Sequence, residues 1–254
     1  MPTLLTGNAD SPKKVVFGLA TFSIALAFAG ATAKDQPAGR SPKEALQAFN
    51  DLIGTWRGTG TPEKTRDRQK GFWTESLLWS WRFKGKEAWL ELAVDRGKYF
   101  RKGELRYLPE KEVYQLTLLT TSNERLTFEG ELNDRVLALR REDEATKEKQ
   151  RLVVSLLHEN RFLYRYEVKP PGKTLFTRVY EVGATKEGVP FAGPGEVSPE
   201  CVVSGGKGTQ AVSYKGKTYY VCCSGCREAF KDEPEKYIKE FEERKAKSAK
   251  QASR

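Results

Sequence analysis

From Gly54 to about Val182 the chain repeats one pattern. Runs of strand-forming residues are broken at short intervals by turn signals such as Lys84-Gly85-Lys86, Arg96-Gly97, Asn133-Asp134 and Pro170-Pro171-Gly172. The runs fall near 54–60, 72–83, 87–95, 98–107, 112–121, 124–131, 135–142, 149–157, 161–168 and 174–182. At hairpin spacing they make an antiparallel meander. Left open, its two edge strands would invite pairing with other chains, and closure into an up-and-down barrel removes both edges. The predicted fold is therefore mainly β, a single antiparallel barrel.

Just before the first run, Ser41-Pro42-Lys43-Glu44 combines an N-cap, a proline at the first helical position and a capping-box glutamate, so a short helix starts there. Leu46, Phe49 and Ile53 recur on one face of it, which predicts that the helix closes one end of the barrel. At Leu52-Ile53-Gly54-Thr55-Trp56-Arg57-Gly58 the chain resembles the Gly-x-Trp opening of lipocalin-like and nitrobindin-like barrels, over about 130 residues. The resemblance implies that Trp56 is core at the closed end. Nitrobindin-like proteins bind haem through a histidine; His158, the one histidine here, falls in a predicted hairpin turn, a poor place for a buried axial ligand. Trp73, Trp79, Trp81 and Trp89 lie along two adjacent hairpins and suit either a filled core or an apolar ligand cavity. No residue is assigned to a barrel ligand. Paired carboxylates such as Glu75 and Glu91 are present but unremarkable, and nothing assembles a nucleophile, base and orienting group, so no enzyme is predicted.

All four cysteines lie near the C-terminus, Cys201, Cys222 and Cys226 in the spacing C-x20-C-x3-C with Cys223 inside the last interval. Ala211–Tyr214 and Thr218–Val221 flank Lys215-Gly216-Lys217 as a tight hairpin that returns Cys222 towards Cys201. A helix beginning at Ser224 then places Cys226 at a loop-to-helix junction, where the helix end favours thiolate. A second helix starts at Pro234, with Tyr237, Ile238 and Phe241 on one face. So small a module has little core and needs a metal or disulfides.

Tyr214-Lys215-Gly216-Lys217-Thr218-Tyr219-Tyr220-Val221-Cys222, Cys226-Arg227-Glu228-Ala229-Phe230 and Pro234-Glu235-Lys236-Tyr237 resemble the YHS domain, one of the TRASH-like metal-binding modules. The resemblance implies Cys201, Cys222 and Cys226 as ligands of zinc, copper or another thiophilic ion, in metal sensing, buffering or trafficking. Val203 stands where many members have methionine, and Cys223 is an extra thiol. Three thiolates leave a fourth tetrahedral position for Cys223, an external ligand or a barrel residue, whereas trigonal copper(I) needs none. Cys223 is the strained candidate, because neighbouring side chains diverge. The competing reading is a small-molecule or lipid-like carrier whose barrel does the work, its cysteines forming structural disulfides in an oxidising compartment.

Lys13 and Lys14, the apolar run Val15–Gly30 and Ala31-Thr32-Ala33 have the layout of a secretory signal cleaved after Ala33. An uncleaved membrane tether is the alternative, but the run is shorter than the roughly 20 residues that span a bilayer. The expected location is periplasmic or extracellular. The net charge of +10 is spread among interspersed acidic residues, and no nucleic-acid motif accompanies it. The expected layout is signal 1–33, linker 34–40, barrel 41–183, linker 184–197, cysteine module 198–243 and a disordered basic tail 244–254. The expected partners are a metal ion and, in the barrel, an apolar small molecule, with no nucleic acid and no membrane span after cleavage.

Overall fold

Ten strands close into one barrel, each paired antiparallel with its sequence neighbour and the first with the last. They are β1 (Gly54–Pro62), β2 (Trp73–Lys84), β3 (Glu87–Asp95), β4 (Phe100–Leu108), β5 (Val113–Thr120), β6 (Arg125–Asn133), β7 (Val136–Glu142), β8 (Lys149–His158), β9 (Arg161–Lys169) and β10 (Thr177–Lys186). The computed structural model describes residues 39–63, 71–188 and 198–252. The expected signal segment 1–33, most of the first linker and residues 189–197 of the second lie outside them. Among the described residues no helix is long and apolar enough to cross a membrane.

Period-two alternation fills the lumen. Leu77, Trp79 and Trp81 of β2 face inward with Leu90 and Leu92 of β3, Leu116 and Leu118 of β5, Phe128 of β6, Leu139 of β7 and Val182 of β10, all buried. Trp89 falls on the other parity. It faces outward beneath the Arg106 guanidinium, 4.3 Å from its ring centre, so of the four tryptophans this one is excluded from the lumen.

The expected capping helix is present as α1 (Pro42–Leu46), with the Ser41–Glu44 capping box formed, followed by a 3-10 helix over Gln47–Leu52. It plugs one end of the barrel. Phe49 packs edge-on against Tyr114, whose hydroxyl donates to the Ala45 carbonyl at 2.9 Å. Trp56 is core, as the lipocalin-like resemblance implied: its indole N–H donates to the Leu52 carbonyl at 2.7 Å, and Lys186 lies over its ring.

The last strand outruns its expected end. β10 continues to Lys186, with Ala184 fully buried and the Lys186 ammonium donating to the Asp51 carbonyl at 2.9 Å, so residues 184–186 are barrel and not linker. Their backbone pairs with β1 as far as Trp56↔Lys186, which keeps the seam closed.

Beyond residue 197 the chain forms the small α+β module: a hairpin of β11 (Gln210–Tyr214) and β12 (Lys217–Val221), then α2 (Ser224–Asp232) and α3 (Pro234–Ala252). Lys215 and Gly216 both take positive φ, 47° and 74°, as a two-residue hairpin turn requires. The expected disordered tail is helical up to Ala252. Its Lys, Ala, Gln and Arg residues are strong helix formers, and Arg244 lies seven residues after Tyr237 on the same helix face, anchored to Glu200 at 2.9 Å. Module and barrel belong to one unit, Pro37–Arg254.

Phe128 is fully buried in the lumen. Phe128→Ala is expected to cost about 3 to 5 kcal/mol, read as a lower midpoint in urea unfolding; a loss under about 1 kcal/mol would mean that the lumen is loosely packed.

Candidate metal centre

Three separate segments bring the cysteine sulfurs together. The chain enters the module beside β12: Cys201 makes a parallel bridge with Tyr220, and Val202 N–H donates to the Tyr220 carbonyl at 2.8 Å. A tight turn follows, closed by Cys201 N–H on the Gly206 carbonyl at 2.6 Å and by Gly205 N–H on the Cys201 carbonyl at 2.9 Å. The hairpin then returns the chain to Cys222, two residues past the Cys201 partner. Cys223 is the extended N-cap of α2, and Cys226 lies in the first turn of that helix.

The sulfurs of Cys201, Cys222 and Cys226 all lie within 4.8 Å of one another, and all three residues are buried. Cys222 and Cys226 are 3.5 Å apart, sulfur to sulfur. Thiolates each about 2.3 Å from one tetrahedral ion stand about 3.8 Å apart, so the donor set fits a thiophilic ion after small shifts. Cys223 is placed differently. Its sulfur is 3.9 Å from that of Cys222 and accepts the main-chain N–H of Trp81 in β2 at 3.4 Å.

Two residues that the sequence did not single out shape the cluster. Ser204 is fully buried; its N–H points to the Cys201 sulfur at 3.5 Å and its hydroxyl lies 3.4 Å from the Cys222 sulfur. Arg244 donates to the carbonyls of Cys201 and Val202 at 3.3 and 3.0 Å, clamping the turn from α3. The seven-residue spacing from Tyr237 carried a signal for Arg244. No signal marked Ser204, whose contacts exist only once the turn is formed.

Hydrogen bonds from Cys222 and Cys226 pull the Cys201 thiol far below the usual thiol range, with Ser204 adding to them. Cys223 is likewise pulled down by Cys222 and Cys226. Donation to Cys201 pushes Cys222 up, and burial pushes Cys226 up. The end of α2 favours thiolate at Cys226, but desolvation outweighs it. The hydrogen bonds among the four sulfurs thus favour thiolate at Cys201 and Cys223 and thiol at Cys222 and Cys226.

The barrel lumen holds a second set of buried polar groups. Glu75, unremarkable in the sequence, is buried; it accepts from the Tyr164 hydroxyl at 2.5 Å and the Trp73 indole at 2.9 Å. Burial and the Glu75 carboxylate push the Tyr164 hydroxyl well above the usual phenol range. Nearby, the Trp79 indole N–H and the Tyr180 hydroxyl are buried without a hydrogen-bond partner. The void beside Trp79, lined almost wholly by apolar side chains, measures about 30 Å³. Glu91 faces outward to Arg82, 2.6 Å away. His158, the last residue of β8, is exposed, its ring nitrogen accepting the Asn160 N–H.

Residues 206–240 match the YHS domain, a span that contains Cys222, Cys223 and Cys226 and begins just after Cys201. No curated protein matches the chain. Among solved structures, one titled "Structure of EF1p2_mFAP2b bound to DFHBI" is 11% identical, with a TM-score of 0.26, covering 56% of this chain and 99% of that one.

Because burial and the hydrogen bonds among the sulfurs push Cys222 and Cys226 up and Cys201 down, loading the reduced protein with zinc(II) near pH 7 is expected to release about two protons and to weaken as pH falls. A pH indicator in weakly buffered solution counts them; release of three would show that Cys201 also carries its proton.

Proposed function

We propose that the protein is an exported, non-enzymatic binder of one thiophilic metal ion, zinc(II) or copper(I), held by Cys201, Cys222 and Cys226 and serving metal sensing, buffering or trafficking. The observation that carries this reading is the convergence of three sulfurs from separate segments within 4.8 Å in a buried pocket. An all-sulfur donor set selects soft ions over calcium or magnesium. The YHS match over residues 206–240 supports the same chemistry. Export rests on the basic, apolar and Ala-x-Ala layout of residues 13 to 33. Three thiolates load the ion with negative charge and make it a weak Lewis acid, and burial leaves little room for a substrate, so binding is favoured over catalysis.

The competing carrier reading draws on the unpartnered Trp79 and Tyr180 groups in the lumen. Size argues against it: a void of about 30 Å³ is far below the roughly 150 Å³ that admits benzene. A drug-sized ligand would require the barrel to repack.

Metal analysis of the full reduced chain and of single serine variants tests the proposal. About one zinc or copper per chain is expected, lost at Cys201→Ser, Cys222→Ser and Cys226→Ser with the barrel still folded, and kept at Cys223→Ser, whose sulfur is engaged with Trp81. Wild-type protein that holds no soft metal, and instead shows ligand-dependent quenching of its tryptophans, would overturn the proposal in favour of the carrier.

A further inference from the structure

β2 is longer than the strand beside it. Its pairing with β1 stops at Gly54↔Trp79, while its pairing with β3 continues to Lys84↔Glu87. The stretch Ser80–Lys84 thus has one unpaired edge at the rim of the barrel, and the start of α2 covers it. Trp81 N–H donates to the Cys223 sulfur at 3.4 Å, and Gly225 lies so close to the Trp81 carbonyl that a Cβ there would stand 1.7 Å from the oxygen.

The Trp81 side chain reaches the same module by a second route. Its indole N–H donates to Asn50 Oδ1 at 3.2 Å, and Asn50 Nδ2 donates in turn to the Ser204 carbonyl at 3.3 Å. Gln47 Nε2 donates to that carbonyl as well, at 2.9 Å. Ser204 is the residue that touches both Cys201 and Cys222. Its hydroxyl accepts the Gly206 N–H at 3.3 Å, which leaves its own proton for the Cys222 sulfur 3.4 Å away. Trp81 and Ser204 are fully buried, so water offers these groups no substitute partner.

We infer that Asn50 and Trp81, on the barrel, are positioning residues of the metal centre: they hold Ser204, and through it the Cys201 and Cys222 sulfurs, so that the barrel sets the metal affinity of the cysteine module. The inference rests on the metal-binding reading above. Outer-shell groups that orient ligands and donate to thiolates typically change metal affinity by roughly 10- to 100-fold. Asn50 and Ser204 are 154 positions apart, so this shell exists only when both parts of the chain are folded together.

The test uses the full reduced chain with cobalt(II) as spectroscopic probe and zinc(II) in competition with it. Asn50→Ala is expected to weaken affinity roughly 10- to 100-fold. The sulfur-to-cobalt charge-transfer intensity per bound ion should stay at the wild-type value, because the three ligands remain. Asn50→Asp, which keeps the acceptor for the indole but turns a carboxylate on the Ser204 carbonyl, is expected to be as weak. Trp81→Phe and Gln47→Ala are milder variants, each expected to weaken affinity severalfold, and they carry the test if Asn50→Ala proves unstable in urea. Wild-type affinity in Asn50→Asp, or in both milder variants, would overturn the inference while leaving the metal site standing. A wild-type protein that binds neither cobalt nor zinc would overturn the metal reading itself.

Discussion

The unpaired rim of β2 is the constraint from which the arrangement of the two parts follows. A strand that outruns its neighbour exposes main-chain N–H and C=O groups, and buried groups of that kind must find partners. Here the partner is a cysteine sulfur. The N–H of Trp81 meets Cys223, and the glycine two positions on lets the start of α2 lie against the strand. That contact fixes which face of the cysteine module is covered, and so leaves Cys201, Cys222 and Cys226 enclosed between the hairpin, α2 and the plugged end of the barrel.

The same constraint explains how so small a module holds its shape. Its own apolar residues are few, and the turn that carries Cys201 is stitched by polar contacts from outside it: Gln47 and Asn50 from the barrel plug, and Arg244 from α3. Ion pairs between Lys43 and Glu240 and between Arg82 and Glu228 add to the joint, but partly exposed pairs contribute no more than about 1 kcal/mol each. Packing of α2 on β2 and the buried hydrogen bonds carry most of the attachment. A metal ion would then close an already assembled pocket instead of organising an unfolded loop.

Within the barrel the balance tips towards packing. Large aromatic and aliphatic side chains from every strand fill the lumen, and the void beside Trp79, about 30 Å³, has room for no more than about two water molecules. The buried carboxylate of Glu75 is tolerated because Tyr164 and Trp73 satisfy its oxygens. The barrel thus serves as a rigid frame whose plugged end faces the sulfur cluster.

Local pattern determined a good deal by itself. Alternation and turn residues placed all ten strands to within a few positions, the Ser-Pro-x-Glu start placed α1, and the Lys-Gly turn with its flanking residues placed the hairpin, because each of these depends on neighbours along the chain. The spacing of Cys201, Cys222 and Cys226 pointed to one cluster for the same reason: a hairpin of known length returns the second cysteine to the first. Trp89 and Glu75 were illegible because parity within a strand says which residues share a face but not which face is inside. The helical course of residues 244–252 was missed because a charged, apolar-poor stretch looks like a solvated tail until one arginine on it finds carbonyls to clamp. What only the tertiary structure decided is the pairing of Trp81 with Cys223 and the chain of contacts from Trp81 through Asn50 to Ser204, since hydrogen bonds between segments 31 to 154 residues apart leave no periodic trace in either.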